Sequence, residues 1–180
     1  MSTIVERPIP GYTNYFARDD GTIRTPLNHI LSGHASRTCE HLRVAVKKPY
    51  WRKWYYKLVH RLIASAFVFN PRPDIFHVVD HINRDKLDNR PCNLRWVTQQ
   101  LNTLNNDALG CTFHKRYKKW WARVRVLGKT HSVGFYKTRE VASPAAKAFR
   151  QQAFNRIYLK AIDEAQTAGE YFLWRPAPAT

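Results

Sequence analysis

The sequence predicts an α+β fold, and three features of its 180 residues carry that prediction. Apolar and polar residues alternate over 42–46, 120–126 and 130–135, the period of half-buried strands, and 54–58 reads as a further strand. Val59, Leu62, Ile63, Ala66 and Phe67 instead recur at the spacing of one helix face, and an alanine-rich stretch near the C-terminus reads as a longer helix. A hydrophobic share of 44% with 13% aromatics is too high for a disordered basic tail, so the chain folds. Its length allows one compact domain or two to three small modules.

In chain order, residues 8–25 read as short strands around the Asp19-Asp20-Gly21 turn. Residues 26–41 are polar and without period, and are expected to be loop. Leu42–Val46 and Trp54–Leu58 are strands joined by a basic, proline-containing turn, so a hairpin is expected. The helix from Val59 to Phe67 stops at Asn70-Pro71-Arg72-Pro73. A short strand ends at Asp80-His81, a polar loop runs from Ile82 to Asn93, and Leu94–Val97 is a second short strand. Thr98 caps the helix that follows, and Asn105-Asn106-Asp107 reads as a linker. Three strands come next, over Cys111–His114, Trp120–Val126 and Thr130–Phe135. The helix after them begins at Thr138 or Ser143 and runs to about Ala168. Pro144 leaves that start open: either Ser143 caps it with Pro144 at the first helical position, or the first turn is kinked. Trp174 to Thr180 is a tail.

Thirty Lys and Arg against thirteen Asp and Glu give a net charge of +17, which makes a polyanion the expected partner. The charge is concentrated, because 41–73 and 108–139 contain no acid while 74–107 holds Asp74, Asp80, Asp85, Asp88 and Asp107. Lys and Arg suffice to bind phosphates, whereas carboxylates between them repel the same backbone unless a cation intervenes. Those acids are either solvated loop residues or part of a metal site. Cys39, Cys92 and Cys111 lack Cys-x-x-Cys spacing, against both a disulfide framework and a zinc ribbon. No apolar run approaches the roughly 18 residues of a membrane span. The N-terminus lacks the layout of a secretion signal, so neither a membrane nor export is expected.

The series Asp80-His81, Asn93, Leu94-Arg95-Trp96-Val97-Thr98 and Asn102 resembles the HNH nucleases, specifically the phage and intron-encoded HNH homing endonucleases with a ββα-metal site. Val59–Phe67 looks like the helix that precedes that site, and residues 8–25 look like the nuclease-associated modular domain found at the N-terminus of such enzymes. The resemblance implies a ββα-metal unit that hydrolyses phosphodiesters. His81 would be the general base, since an imidazole is partly neutral near pH 7. Asp80 and Asn102 would hold the cation, an oxygen donor set that suits Mg²⁺ better than Zn²⁺, with Mn²⁺ expected to substitute. Asn93 would tie the loop together and orient the histidine. Alone, an Asp-His pair is usually incidental. His60 is open between core packing, DNA contact and helix start, with a packing or phosphate role favoured. His29, His34, His41 and His77 read as surface or satisfied polar residues, and Asp85 and Asp88 as loop-shaping.

Residues from Gly110 to about Ala153 resemble the APETALA-type, or ethylene-response-factor, DNA-binding domain, through Lys119–Val124, Gly128-Lys129, Val133-Gly134-Phe135 and the alanine-rich helix. Alternation places Trp120, Ala122, Val124 and Val126 on the face that packs on the helix. Trp121, Arg123 and Arg125 share the other face with Thr112, His114, Thr130 and Ser132. Such a face suits a DNA groove, with an ordinary solvated sheet face as the alternative. Arg116, Lys118 and Lys129 in the adjoining turns, and Arg61 and Arg95 beside the central series, complete the expected DNA contacts.

The expected organisation is a modular strand-rich element over 1–58, an HNH nuclease domain over 59–106, and an APETALA-type domain with helix and tail over 107–180. The expected activity is metal-dependent cleavage of double-stranded DNA by a homing-endonuclease-like enzyme. One site per chain implies nicking by a monomer or weak dimer on DNA, with no small-molecule cofactor, in the cytoplasm of a bacterial host. The rival readings are a catalytically silent DNA-binding regulator on the same scaffold and an RNA-directed nuclease, for which Trp121 and the arginines could stack unpaired bases.

Overall fold

The structure, a computed structural model, describes residues 3–36, 39–48 and 52–167. The expected tail and the end of the last helix lie outside them. The described residues divide into two compact units, one reaching to Val97 and the other spanning Thr98–Thr167. Helices and small antiparallel sheets make up both, an α+β architecture.

The first unit opens with β1 (Glu6–Pro8), β2 (Phe16–Arg18), β3 (Ile23–Arg24) and β4 (Ile30–Leu31), paired antiparallel in that order. The turn between β2 and β3 is closed by Asp20, whose Oδ1 accepts the Thr22 backbone N–H at 2.9 Å. Gly21 in that turn sits at φ +86°, which favours glycine. A second sheet runs β5 (His34–Ser36), β6 (Cys39–Val46), β7 (Tyr55–Leu58). The stretch 26–41 is therefore not loop: it supplies β4, β5 and the start of β6. Strands of two and three residues are too short to show a period, and pairings such as Ile23 with Leu31 are made by partners outside the segment.

Helix α1 (Val59–Phe67) follows β7 directly and has the bounds that its apolar spacing predicts. No side chain caps it, and its stability comes from burial of Val59, Leu62, Ile63, Ala64 and Ala66. Full burial of Leu62 or Ile63 contributes about 2 kcal/mol each. These residues meet Ala17 and Ile23 from the first sheet, Val44 and Val46 from β6, and Val79 and Leu94 from the hairpin that follows. That hairpin pairs β8 (Val78–His81) with β9 (Leu94–Val97), His81 opposite Leu94 and Asp80 opposite Arg95.

In the second unit, Thr98 accepts the Leu101 N–H on its hydroxyl and caps α2 (Gln99–Leu104). The sheet β10 (Cys111–His114), β11 (Lys119–Val126), β12 (Lys129–Tyr136) packs on α3 (Arg139–Thr167). Ala122, Val124 and Val126 are buried along with Ala142, Ala146 and Phe154 of α3, and Arg123 and Arg125 are exposed. Of the two expected starts the structure takes the earlier: α3 begins at Arg139, directly after Thr138, so Ser143 does not cap it, and Pro144 lies within the helix and cannot donate to the Glu140 carbonyl. Ala142 N–H bonds the Thr138 carbonyl, so the first turn is already closed before the proline.

Candidate active site

Strand β8 ends in Asp80 and His81, the two residues expected to carry chemistry, and both are buried, Asp80 at 5% exposure and His81 at 4%. Successive strand residues point to opposite faces. Asp80 lies with its cross-strand partner Arg95, whose Nε and Nη2 approach Oδ2 at 2.8 and 2.7 Å. A buried carboxylate needs such a charged partner to stay ionised at low cost.

His81 lies against α1 and β6. Its Nε2 is 3.1 Å from Oδ1 of Asn89, which is itself buried at 3% exposure. The other end of that amide settles its orientation: Asn89 Nδ2 donates to the Leu87 carbonyl at 3.3 Å, and a carbonyl can only accept. The amide oxygen therefore faces the ring, and the proton of the neutral imidazole is on Nε2. The basic lone pair is on Nδ1.

The loop between the strands is held from inside. Asn93, buried at 6% exposure, accepts the Asn83 N–H at 2.9 Å and donates to the Asp88 carbonyl at 2.8 Å. The Ile82 N–H bonds the Asn93 carbonyl at 2.8 Å, so the loop is pinned beside His81. Asp85 accepts the Leu87 N–H, and Asp88 takes Arg90 Nε at 2.8 Å and Asn83 Nδ2 at 3.1 Å. The Arg90 guanidinium holds the Asp88 carboxyl down at about 2. From the first sheet, a Cβ at Gly21 would stand 3.0 Å from the Asn89 carbonyl carbon, so the turn between β2 and β3 rests directly on this loop.

Two more histidines surround His81. His60 of α1 is buried at 4% exposure, its ring 5.0 Å from that of His81, and His41 of β6 lies 4.8 Å from His60 and 5.6 Å from His81. Burial, reinforced by the neighbouring His81 and His41, pushes the His60 imidazole down to about 3, so it is neutral at physiological pH. His41 is half-buried and lowered for the same leading reason. His41 is thus half-buried rather than on the surface, and His60 is buried in α1 with its ring against those of His41 and His81.

Arg61 lies next to this cluster with Nη1 donating to the His77 carbonyl at 2.9 Å and its guanidinium 5.8 Å from the Trp96 ring. Arg95 is the partner of Asp80. Asn102 lies half-buried on α2, in the second unit, and its assignment as a cation ligand rests on sequence spacing. In that unit the outward face of the sheet brings Thr112 opposite Trp121, Arg123 opposite Ser132 and Arg125 opposite Thr130. Trp121 donates to Ser132 Oγ at 2.8 Å, stacks on Phe135 at 5.8 Å, and carries the Arg123 guanidinium 5.0 Å from its ring centre. His114 stacks on Tyr117 at 4.6 Å. Arg116, Lys118 and Lys129 are exposed at the turns, with Lys118 at φ 49°. Sequence reasoning passed over Asn89 and the placement of His41. Asn89 is one amide in a loop full of them, and no spacing marks it out.

Comparison with known proteins adds a family to this geometry. Residues 57–104 match the family described as HNH endonuclease, so the chain carries an HNH endonuclease domain over that stretch. An uncharacterized HNH endonuclease of Acanthamoeba polyphaga mimivirus is 37% identical over 97 residues, which cover 54% of this chain and 24% of the relative. The chain thus spans about a quarter of the length of that curated relative. The HNH homing endonuclease I-HmuI, solved in a study of its DNA binding and cleavage, is similar at 29% identity with a TM-score of 0.48, over 56% of each chain.

Proposed function

We propose that this protein is a metal-dependent endonuclease that hydrolyses one phosphodiester of duplex DNA per active site, and so nicks. The observation that carries the reading is His81, buried beside Asp80 inside the HNH endonuclease domain, with Asn89 holding its proton on Nε2. In that tautomer Nδ1 accepts a proton from the attacking water, and Asn93 keeps the loop from drifting away from the ring. The donor chemistry fits a hard divalent cation: Asp80 supplies a buried carboxylate. When bound, Mg²⁺ supplies charge neutralisation at the scissile phosphate and the departing 3′ oxygen. Arg95 limits the carboxylate's repulsion of the DNA backbone by neutralising it. The duplex is recognised by charge, +17 over the chain, and by the outward sheet face bearing Trp121, Arg123, Arg125, Thr112 and Thr130.

Incubation of supercoiled plasmid with Mg²⁺ or Mn²⁺, with and without EDTA, tests this. Open circles that require the metal and vanish in His81→Ala are the expected result. Linear product at single-hit concentration refutes the nicking assignment. Retained DNA binding with no cleavage of plasmid or genomic DNA favours the regulator instead, and preferred cleavage of RNA in competition moves the substrate to RNA.

A further inference from the structure

His41, His60 and His81 come from three different elements, β6, α1 and β8, yet one nitrogen of each lies within 4.8 Å of the others. Packing alone does not require this. A buried imidazole nitrogen ordinarily finds a hydrogen-bond partner, and His60 Nδ1 is buried without one. A partnerless nitrogen on a ring that is 4% exposed and lies 4.8 and 5.0 Å from two further imidazoles points to a missing electrophile. Ligand nitrogens bonded at about 2.0–2.1 Å to a tetrahedral ion stand roughly 3.4 Å apart, so modest side-chain rotations close the site. His41 is the half-buried member, and leaves the fourth position to solvent.

From this we infer that His41, His60 and His81 form a binding site for a borderline-soft divalent cation of the Zn²⁺ class, separate from the oxygen site at Asp80, and that occupying it switches the nuclease off. An all-imidazole donor set selects Zn²⁺, Co²⁺, Ni²⁺ or Cu²⁺ and discriminates against Mg²⁺. The switch follows from the shared ligand. A His81 nitrogen pair donated to an ion ties the ring that the general base needs, and either occupies its lone pair or turns it away from Asn89. The inhibitory half rests on the endonuclease reading, and the binding half does not.

Two measurements on the untagged full chain, stripped of metal by chelation and dialysis, test the two halves separately. Titration with Co²⁺ is expected to give one tightly bound ion per chain with the intense visible bands of a tetrahedral site, displaced by Zn²⁺. His41→Ala, and His41→Phe, which keeps a ring in place, are expected to weaken that affinity by about tenfold or more. Nicking in Mg²⁺ is then followed against free Zn²⁺, each variant normalised to its own zinc-free rate. The parent is expected to lose activity with the midpoint of the cobalt displacement, and the His41 variants to shift that midpoint by the factor found in binding. Absent cobalt bands, or an affinity unchanged in both variants, overturns the site. Zinc that binds and does not slow cleavage overturns the switch. A parent that cleaves nothing in Mg²⁺ but shows the His41-dependent cobalt spectrum keeps the site, and defeats the endonuclease reading together with the inhibition.

Discussion

Replacing Asn89 by leucine keeps the branching of the side chain and removes the acceptor that faces His81 Nε2 at 3.1 Å. The donor left behind is buried, since both residues are below 5% exposed. An unsatisfied buried donor costs about 1–3 kcal/mol. The ring escapes that cost by turning toward another acceptor or by moving its proton to Nδ1, and either move takes the lone pair away from the water. At about 1.4 kcal/mol per tenfold in rate, the single-turnover nicking rate at saturating DNA and Mg²⁺ falls by roughly 5- to 150-fold. Asn89→Asp keeps the acceptor and adds a negative charge beside the ring, which favours the imidazolium and moves the acid limb of the pH–rate profile to higher pH. A purely structural role for Asn89 would lower both rates and leave the profile in place. Asn89→Leu cleaving within twofold of the parent, or an unmoved profile in Asn89→Asp, refutes the orientation argument.

Gly21→Ala forces a Cβ to within 3.0 Å of the Asn89 carbonyl carbon at a positive φ, and is expected to destabilise the chain by about 1–3 kcal/mol in denaturant unfolding. Its nicking rate falls as well, because the loop that moves carries Asn89. Arg95→Met strands the buried Asp80 carboxylate, a loss of about 3–5 kcal/mol without metal. The midpoint of its thermal unfolding should rise more steeply with Mg²⁺ than that of the parent, and equal slopes would count against Asp80 as a cation ligand. Asp88 has a folded-state value of about 2, below its ordinary 3.8, so its charge stabilises the fold above about pH 4 and that contribution disappears as pH falls toward 2. Asp88→Asn is therefore expected to be less stable than the parent by about 1 kcal/mol or less at pH 6, solvent screening included, with the gap closing in acid unfolding curves near pH 2.

Helix α1 and strands β8, β9 and β11 were legible because their signals are local. A helix face at 59–67, strand alternation at 120–126 and a threonine cap at Thr98 each involve residues within a turn or two of one another. The segment 26–41 was not, since β4 and β5 exist only through pairing with β3 and β6. The start of α3 stayed open between Thr138 and Ser143 because Pro144 was weighed against an isolated helix, and the structure takes the Thr138 start. Burial of Ala142 and Ala146 against the sheet side outweighs one missing backbone bond.

By itself the amino-acid sequence determined the class of the fold and, through a charge of +17, led to the expectation of a polyanionic partner. Both follow from composition and short spacings, which survive without any knowledge of packing, whereas the pair Asp80-His81 came forward through the resemblance to the HNH nucleases. Only the tertiary structure decided which amide holds His81, which cation neutralises Asp80, and that His41 and His60 close around the same ring. Those contacts join residues far apart in the chain, brought together by burial of the apolar face of α1 against β6 and the hairpin, and nothing in their local sequence encodes the meeting.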